Sequence, residues 1–235
     1  MADVTYREAL RRALDEELAR DERVFLMGEE IGRFEGSYKV TAGLYKKYGE
    51  RRVRETPISE EGFVGAAIGA AMLGLRPVVE IMTINFILPA MDMVVNHAAK
   101  IRQMFGGKVG VPMVIRTPGG AGAQLTAQHS QSLEVMFAHV PGMKVVAPST
   151  PADAYGLLKS AIRDDDPVLF LEHKALYAMS GQVPEEEYLV PLGKADIRRT
   201  GKDVTIVTAS RMVQQALDAA ETLAGQGTDA EVIDL

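Results

Sequence analysis

Short β-branched runs alternate with helical stripes across short loops, and this alternation constrains the chain more than any other feature. Val24–Met27, Val78–Met82, Val111–Arg116, Lys144–Ala147 and Val168–Glu172 each read as a buried strand. Helical patterns lie between them. Thr5-Tyr6-Arg7-Glu8 has the form of a capping box and precedes an apolar stripe at Leu10, Leu14 and Leu18. Thr41–Tyr48, Glu60–Leu75, Met91–Met104 and Gln131–Ala138 read as further helices, and Ile31–Lys39 as a loop. Thr150-Pro151 sets an N-cap before a proline at the first helical position, opening Ala152–Arg163. Such alternation specifies an α/β fold, with a mostly parallel sheet covered by helices on both faces.

That pattern fills residues 1–180. The acidic stretch Gly181–Val190 has no apolar period, so residues 181–195 read as a linker. In residues 196–235, strand-like Asp203–Ala209 and Ala230–Leu235 flank helical Met212–Ala224. A lone βαβ unit cannot bury both faces of its sheet, so this second domain is expected to be partial.

Composition narrows the chemistry. The 235 residues contain no cysteine, which removes disulfides, zinc thiolates and thiol nucleophiles together. A net charge of −6 offers no general attraction for nucleic acid or an anionic membrane. The longest weakly polar run, Gly62–Leu75, is shorter than the ~20 residues a membrane helix needs. The first residues carry no secretory pattern, and a cytoplasmic protein is expected.

Two places could carry chemistry. Ser59-Glu60-Glu61 stands where a strand passes into a helix. There the acids either stabilise the helix terminus or offer a carboxylate at the carboxyl end of a parallel strand, where open α/β sheets bind ligands. Local physics does not separate Glu60 from Glu61. His129 follows the loop Gly119-Gly120-Ala121-Gly122-Ala123 and is either structural or catalytic; His97, His139 and His173 read as structural. The glycine loop is not a dinucleotide fingerprint, since its last glycine position holds Leu125, and it lacks the Lys-Ser/Thr of a P-loop. After Glu60, Gly62, Gly65, Ala66, Gly69 and Ala70 make a small-residue surface that suits close approach of a neighbouring backbone or subunit.

Seven strings, taken in order, resemble one family: Gly28-Glu29-Glu30, Gly36-Ser37-Tyr38-Lys39-Val40, Thr56-Pro57-Ile58-Ser59-Glu60, Glu80-Ile81-Met82-Thr83-Ile84-Asn85-Phe86, Gln128-His129-Ser130-Gln131, Lys144-Val145-Val146-Ala147-Pro148 and Ser160-Ala161-Ile162-Arg163-Asp164. The chain resembles the β subunit of the thiamine-diphosphate-dependent first component of 2-oxo-acid dehydrogenase complexes, nearest the pyruvate type. The resemblance implies a pyrimidine-binding domain followed by the start of a transketolase C-terminal-like domain. It implies oxidative decarboxylation of a 2-oxo acid with acyl transfer to lipoamide. Branched-chain 2-oxo-acid or acetoin dehydrogenase β subunits and a non-catalytic structural fragment are the alternatives.

The resemblance also assigns residues. Glu60 is implied to hydrogen-bond the aminopyrimidine ring of thiamine diphosphate, with Ile58, Met82 and Phe86 as its apolar wall. His129 is implied to act near the reacting carbon and during acyl transfer, and Glu29 to line an acidic passage between paired sites. Met113, Ala161, Ile162, Asp164 and Asp166 match a potassium loop of some members, although a plain helix C-terminus accounts for most of them. No Gly-Asp-Gly element is present, so the diphosphate and its magnesium are expected on an α subunit. The implied partners are two α chains with two β chains, and a lipoyl acyltransferase.

Overall fold

Why these residues form two packed layers over one sheet follows from the alternation along each strand. The computed structural model describes residues 1–235. Its first strand, β1 (Ala2–Thr5), leads into α1 (Tyr6–Arg20), where Thr5 Oγ1 accepts from the Glu8 amide at 3.2 Å and Glu8 Oε2 accepts from the Thr5 amide at 2.9 Å. The expected capping box is present. There follow β2 (Val24–Gly28), α2 (Leu44–Tyr48), β3 (Val53–Glu55), α3 (Glu60–Met72), β4 (Arg76–Glu80), α4 (Ile101–Met104), β5 (Val114–Gly119), α5 (Glu134–Ala138) and β6 (Lys144–Val146). The first domain then continues through α6 (Pro151–Arg163), β7 (Val168–His173) and β8 (Ser180–Val183).

Six strands join in the order β3-β2-β4-β5-β7-β6, every pair parallel. Successive strand residues enter opposite cores. Val78, Val114, Val168 and Phe170 pack with α1 and α6 on one face. Val79, Ile115, Leu169 and Leu171 pack with α3 and the 84–104 segment on the other. Thr150 caps α6 by accepting from the Asp153 amide at 3.1 Å, with Pro151 in its first turn.

Three expectations change. The helix expected over Met91–Met104 is interrupted: a 3₁₀ segment covers Ile84–Ala90, a π segment covers Met93–Ala98, and only Ile101–Met104 is a separate α-helix. Pro89 has no amide to donate, and the Ala99 amide reaches back to the Val94 carbonyl at 3.1 Å in a wider turn. The helix expected from Gln131 begins at Glu134 instead, because the Gln131 carbonyl accepts from the Gly120 amide at 3.1 Å and its side chain accepts from Asn85. Finally, the segment read as a linker opens with β8, which pairs antiparallel with β1.

Residues 196–235 form a smaller sheet, β10-β11-β9, from β9 (Asp196–Arg199), β10 (Val204–Thr208) and β11 (Ala230–Asp234), with α7 (Met212–Ala224) packed on it. Ile197, Val204 and Val207 stay exposed. This unit is fastened to the first by Arg198, which pairs with both Asp234 and Asp153, while Ser149 donates to Asp234. No helix of the chain is long and apolar enough to cross a membrane.

Below the carboxyl edge of the main sheet lies a buried charge network. Arg116 on β5 donates through Nε and Nη2 to Glu172 at 2.6 Å each, and through Nη1 to Glu80. Tyr177 donates to Glu172 at 2.6 Å and stacks on Tyr38 with ring centroids 5.1 Å apart. Burial pushes the Glu80 carboxyl up in spite of Arg116 beside it. Removing the guanidinium leaves two uncompensated buried acids, so Arg116→Met should lose about 3–5 kcal/mol of unfolding free energy. Denaturant titration checks this; an unchanged midpoint would show that the network is dispensable.

Candidate functional site

The carboxyl ends of β2, β3, β4, β5 and β7 point to one edge, and the loops that leave them carry every polar group of interest. β2 ends at Gly28, where an added Cβ would stand 2.6 Å from the Glu80 carbonyl of β4; only glycine lets the strands run side by side here. Glu29 follows immediately. α3 starts at Glu60, one loop beyond β3.

Glu60 and Glu61 are neighbours in the first turn of α3, yet the helix turns them in different directions. Glu60 is only 8% exposed, whereas Glu61 faces solvent. The Glu60 carboxylate makes no hydrogen bond or ion pair with any group of the chain, and neither does that of Glu29. Burial raises the Glu29 carboxyl above the usual carboxylate range, and the charge of Glu60 is the next largest contributor, followed by Glu30. Two carboxylates with no partner therefore stand near one another at the carboxyl edge of the sheet. The Thr56 hydroxyl, just upstream of Glu60, is also buried without a partner. Buried polar groups are ordinarily hydrogen-bonded, so these groups leave polar valences that could hold a polar ligand such as a nitrogen heterocycle.

The expected apolar wall is only half built within this chain. Met82 and Phe86 are partly buried behind β4, but Ile58 is 82% exposed and touches no core cluster. The wall stays open on the Ile58 side. The small-residue surface of α3 behaves similarly: a Cβ on Gly69 would meet nothing within 4 Å, and one on Gly65 would meet only Met93. No backbone of the chain itself approaches Gly65 or Gly69 there.

His129 closes a 3₁₀ turn, Ala127–His129, at the end of the exposed loop that follows β5. Its ring packs edge-on against Phe86, with centroids 5.3 Å apart. Two further ties hold this loop to the segment after β4. Asn85 donates to Gln131, and the Lys174 ammonium donates to the His129 carbonyl and, at 3.1 Å, to Thr83 Oγ1. Lys174 carries no motif signal and is missed by sequence reasoning; only its burial beside the loop reveals it.

His173 was read as structural, and it lies directly beneath the glycine loop. Gly120 has φ +84°, and an added Cβ would lie 2.2 Å from His173 Nε2. A cleft of about 230 Å³ opens here, lined by Gly120, His173, Ser210, Arg211 and Gln215 among others. Arg211 Nη1 donates to the Ala121 carbonyl at 3.2 Å, so the smaller sheet unit reaches the loop. His97 and His139 are exposed and away from this edge.

At the candidate potassium loop, Arg76 holds the oxygens. Its Nη1 donates to the carbonyls of Ile162 at 3.1 Å and Asp164 at 2.9 Å, and its Nη2 pairs with Asp165. The Ala161 carbonyl accepts from the Asp164 amide, and Met113, one residue before β5, accepts from the Val168 amide at 2.9 Å. Asp164 and Asp166 both pair with Lys144, and Asp166 also with Arg102. Three acids meet three basic side chains in the packed loop. No group of three His, Asp or Glu side chains is arranged to hold a metal ion.

Comparison with known proteins adds the following. Residues 2–179 match the transketolase pyrimidine binding domain, and residues 193–235 the transketolase C-terminal domain. The chain is 52% identical over 236 residues to the pyruvate dehydrogenase E1 component subunit beta of Rhizobium meliloti, covering 100% of this chain and 51% of the relative. It is 54% identical over 237 residues to the mitochondrial subunit beta of Dictyostelium discoideum, covering 99% and 67%. The chain thus spans about half to two thirds of the length of such relatives. Among solved structures, a split gene transketolase described as an inactive beta4 tetramer aligns with a TM-score of 0.80 at 21% identity, over 99% of this chain and 71% of that one. Transketolase from Campylobacter jejuni aligns at 0.76 and 14%, over 99% and 35%. At such identities the two structures speak for the fold alone.

Burial, the Arg211 charge and the Lys174 charge together hold the His173 imidazole down at about 4, against about 6.5 when unfolded. Between those values the unfolded chain binds a proton that the folded chain does not, so acidification through this window removes stability. Melting temperature should therefore fall less from pH 6.5 to 4 in His173→Gln than in the parent. Parallel melting curves for the two proteins would contradict the assignment.

Proposed function

The chain belongs to the transketolase pyrimidine-binding family and, within it, to the pyruvate dehydrogenase E1 β subunits, and on that premise we propose that it supplies the pyrimidine half of a thiamine diphosphate site shared between subunits. The reaction is oxidative decarboxylation of pyruvate with transfer of the acyl group to lipoamide. The observation that carries this reading is the Glu60 carboxylate, buried at the start of α3 with no partner in its own chain. When bound, thiamine diphosphate supplies an acidic carbon and an electron sink for decarboxylation.

Glu60 would hydrogen-bond the aminopyrimidine ring nitrogen and share a proton with it, which is general acid–base work by a buried carboxyl. Glu29, with its carboxyl raised by burial and by the charge of Glu60, is placed to take or return that proton. Met82 and Phe86 exclude water on one side, and Ile58 faces outward to complete the wall against the α subunit. His129, oriented by Phe86, presents an imidazole to the reacting end of the site and moves a proton during acyl transfer.

The diphosphate and its magnesium are assigned to the α subunit, since the chain carries no Gly-Asp-Gly element. Two α and two β chains assemble, with a lipoyl acyltransferase as acceptor. The exposed small-residue surface of α3 supports such packing. At the Asp164 loop the role we assign is structural, with Arg76 seated on two of the carbonyls that potassium would use.

The chain assembled with its α partner, thiamine diphosphate and magnesium tests the proposal. Glu60→Gln should lower decarboxylation by about 100-fold or more, the scale of a lost acid–base group, while the assembly keeps its mass on a sizing column. Parent-like turnover in Glu60→Gln would remove that carboxyl from the mechanism. In His129→Ala, lipoamide acylation should fall further than cofactor affinity; a variant defective only in cofactor binding would contradict the role given to the imidazole.

A further inference from the structure

Lys174 is a buried ammonium without an acid. The residue is 8% exposed, and its Nζ contacts only neutral oxygens: Thr83 Oγ1 at 3.1 Å and the carbonyl of His129. Burial alone lowers its pKa, and no carboxylate acts to restore it. Burying a charge on neutral partners is costly, and a chain seeking only stability is better served by an apolar side chain in that place. The ammonium has to be doing something that a methionine of similar length cannot.

Its two partners say what. Thr83 is the last residue before the 3₁₀ segment Ile84–Ala90, which carries Phe86. His129 ends the exposed loop after β5, in which Gln124 and Thr126 have φ of 55° and 63°, a left-handed backbone that non-glycine residues adopt only under constraint. A solvent-facing loop with such torsions has little packing of its own and depends on ties to the scaffold. Arg211 meets the loop's start at the Ala121 carbonyl, and its His129 end is held by the Asn85–Gln131 bond and the Lys174 bridge. The latter two flank the edge-on contact of Phe86 with the His129 ring. From the rigid end of β7, the four-carbon stem of lysine spans the gap to both segments at once, and its tetrahedral head offers a separate donor to each.

We propose that Lys174 is a positioning residue for His129, fixing the histidine's backbone against the Thr83–Phe86 segment so that the imidazole meets the reacting end of the site in one orientation. Its catalytic consequence rests on the role given to His129 above, whereas its effect on the loop does not.

The test uses the full-length chain assembled with its α partner. Lys174→Met keeps the stem and removes the donors, and Lys174→Arg restores a cation. In Lys174→Met, hydrogen exchange over residues 119–131 should quicken by about 10-fold, with the Gly120 and His129 amides included and β2 and β4 unchanged. Lys174→Arg should regain part of that protection. Lipoamide acylation should lose about 10-fold in kcat with KM for the oxo acid nearly constant, as expected when a group is misplaced but binding is intact. Added to His129→Ala, Lys174→Met should cost nothing further. Unchanged exchange over 119–131 would overturn the proposal, and so would a full additional loss in the His129→Ala background. If the exchange responds as expected but His129→Ala keeps full activity, the fastening stands and the reaction assigned to His129 fails instead.

Discussion

Arg116 ties three neighbouring strands together at the level where the sheet stops and the loops begin. It pairs with Glu80 at the end of β4 and with Glu172 near the end of β7, all on the face covered by α1 and α6. The loops that leave these strands carry Met82 and Phe86, the glycine turn before His129, and Lys174. A buried network of two acids and one guanidinium is not the cheapest way to stabilise a sheet, since apolar packing of equal volume often does as well. Its advantage lies in geometry. Three charge-assisted bonds fix the relative advance of β4, β5 and β7, and hence the spacing of the groups mounted just beyond them.

Above that network the protein leaves things undone. Glu29 and Glu60 are buried side by side without partners, the Thr56 hydroxyl is orphaned, and Ile58 stands in solvent. Each is unfavourable for an isolated chain, and together they support the proposed reading of one face of a pocket shared with a partner. The open small-residue surface of α3 points the same way. On the second edge of the site, by contrast, the His129 loop is actively fastened. The chain thus leaves its acid without a partner and keeps its histidine under restraint.

Much of this was legible in the residues. The capping box at Thr5, the Thr150-Pro151 cap and the strand runs are local signals, and each specified its element because the tertiary packing agrees with the local preference. The 84–104 segment defeated the same reasoning. Its apolar residues fit a helix, but Pro89 and the π segment at Met93–Ala98 divide it. The pairing of β8 with β1 joins residues some 180 positions apart, and no local pattern encodes such a contact. At the site, motif order singled out Glu60 and His129, and the fold adds the helix phase that turns Glu60 inward and Glu61 outward, which local sequence does not show. Lys174 escaped notice because its contacts lie across the fold, and an isolated lysine in a sequence has no such context.

The central claim is that this chain holds one half of a divided pocket, with the acid here and the anchor for the charged tail on another polypeptide. Calorimetric titration of thiamine diphosphate with magnesium tests it most directly, first into the chain by itself and then into the chain with its α partner. The account predicts no measurable saturation in the first titration and stoichiometric binding in the second. Tight binding by the unaccompanied chain would contradict it.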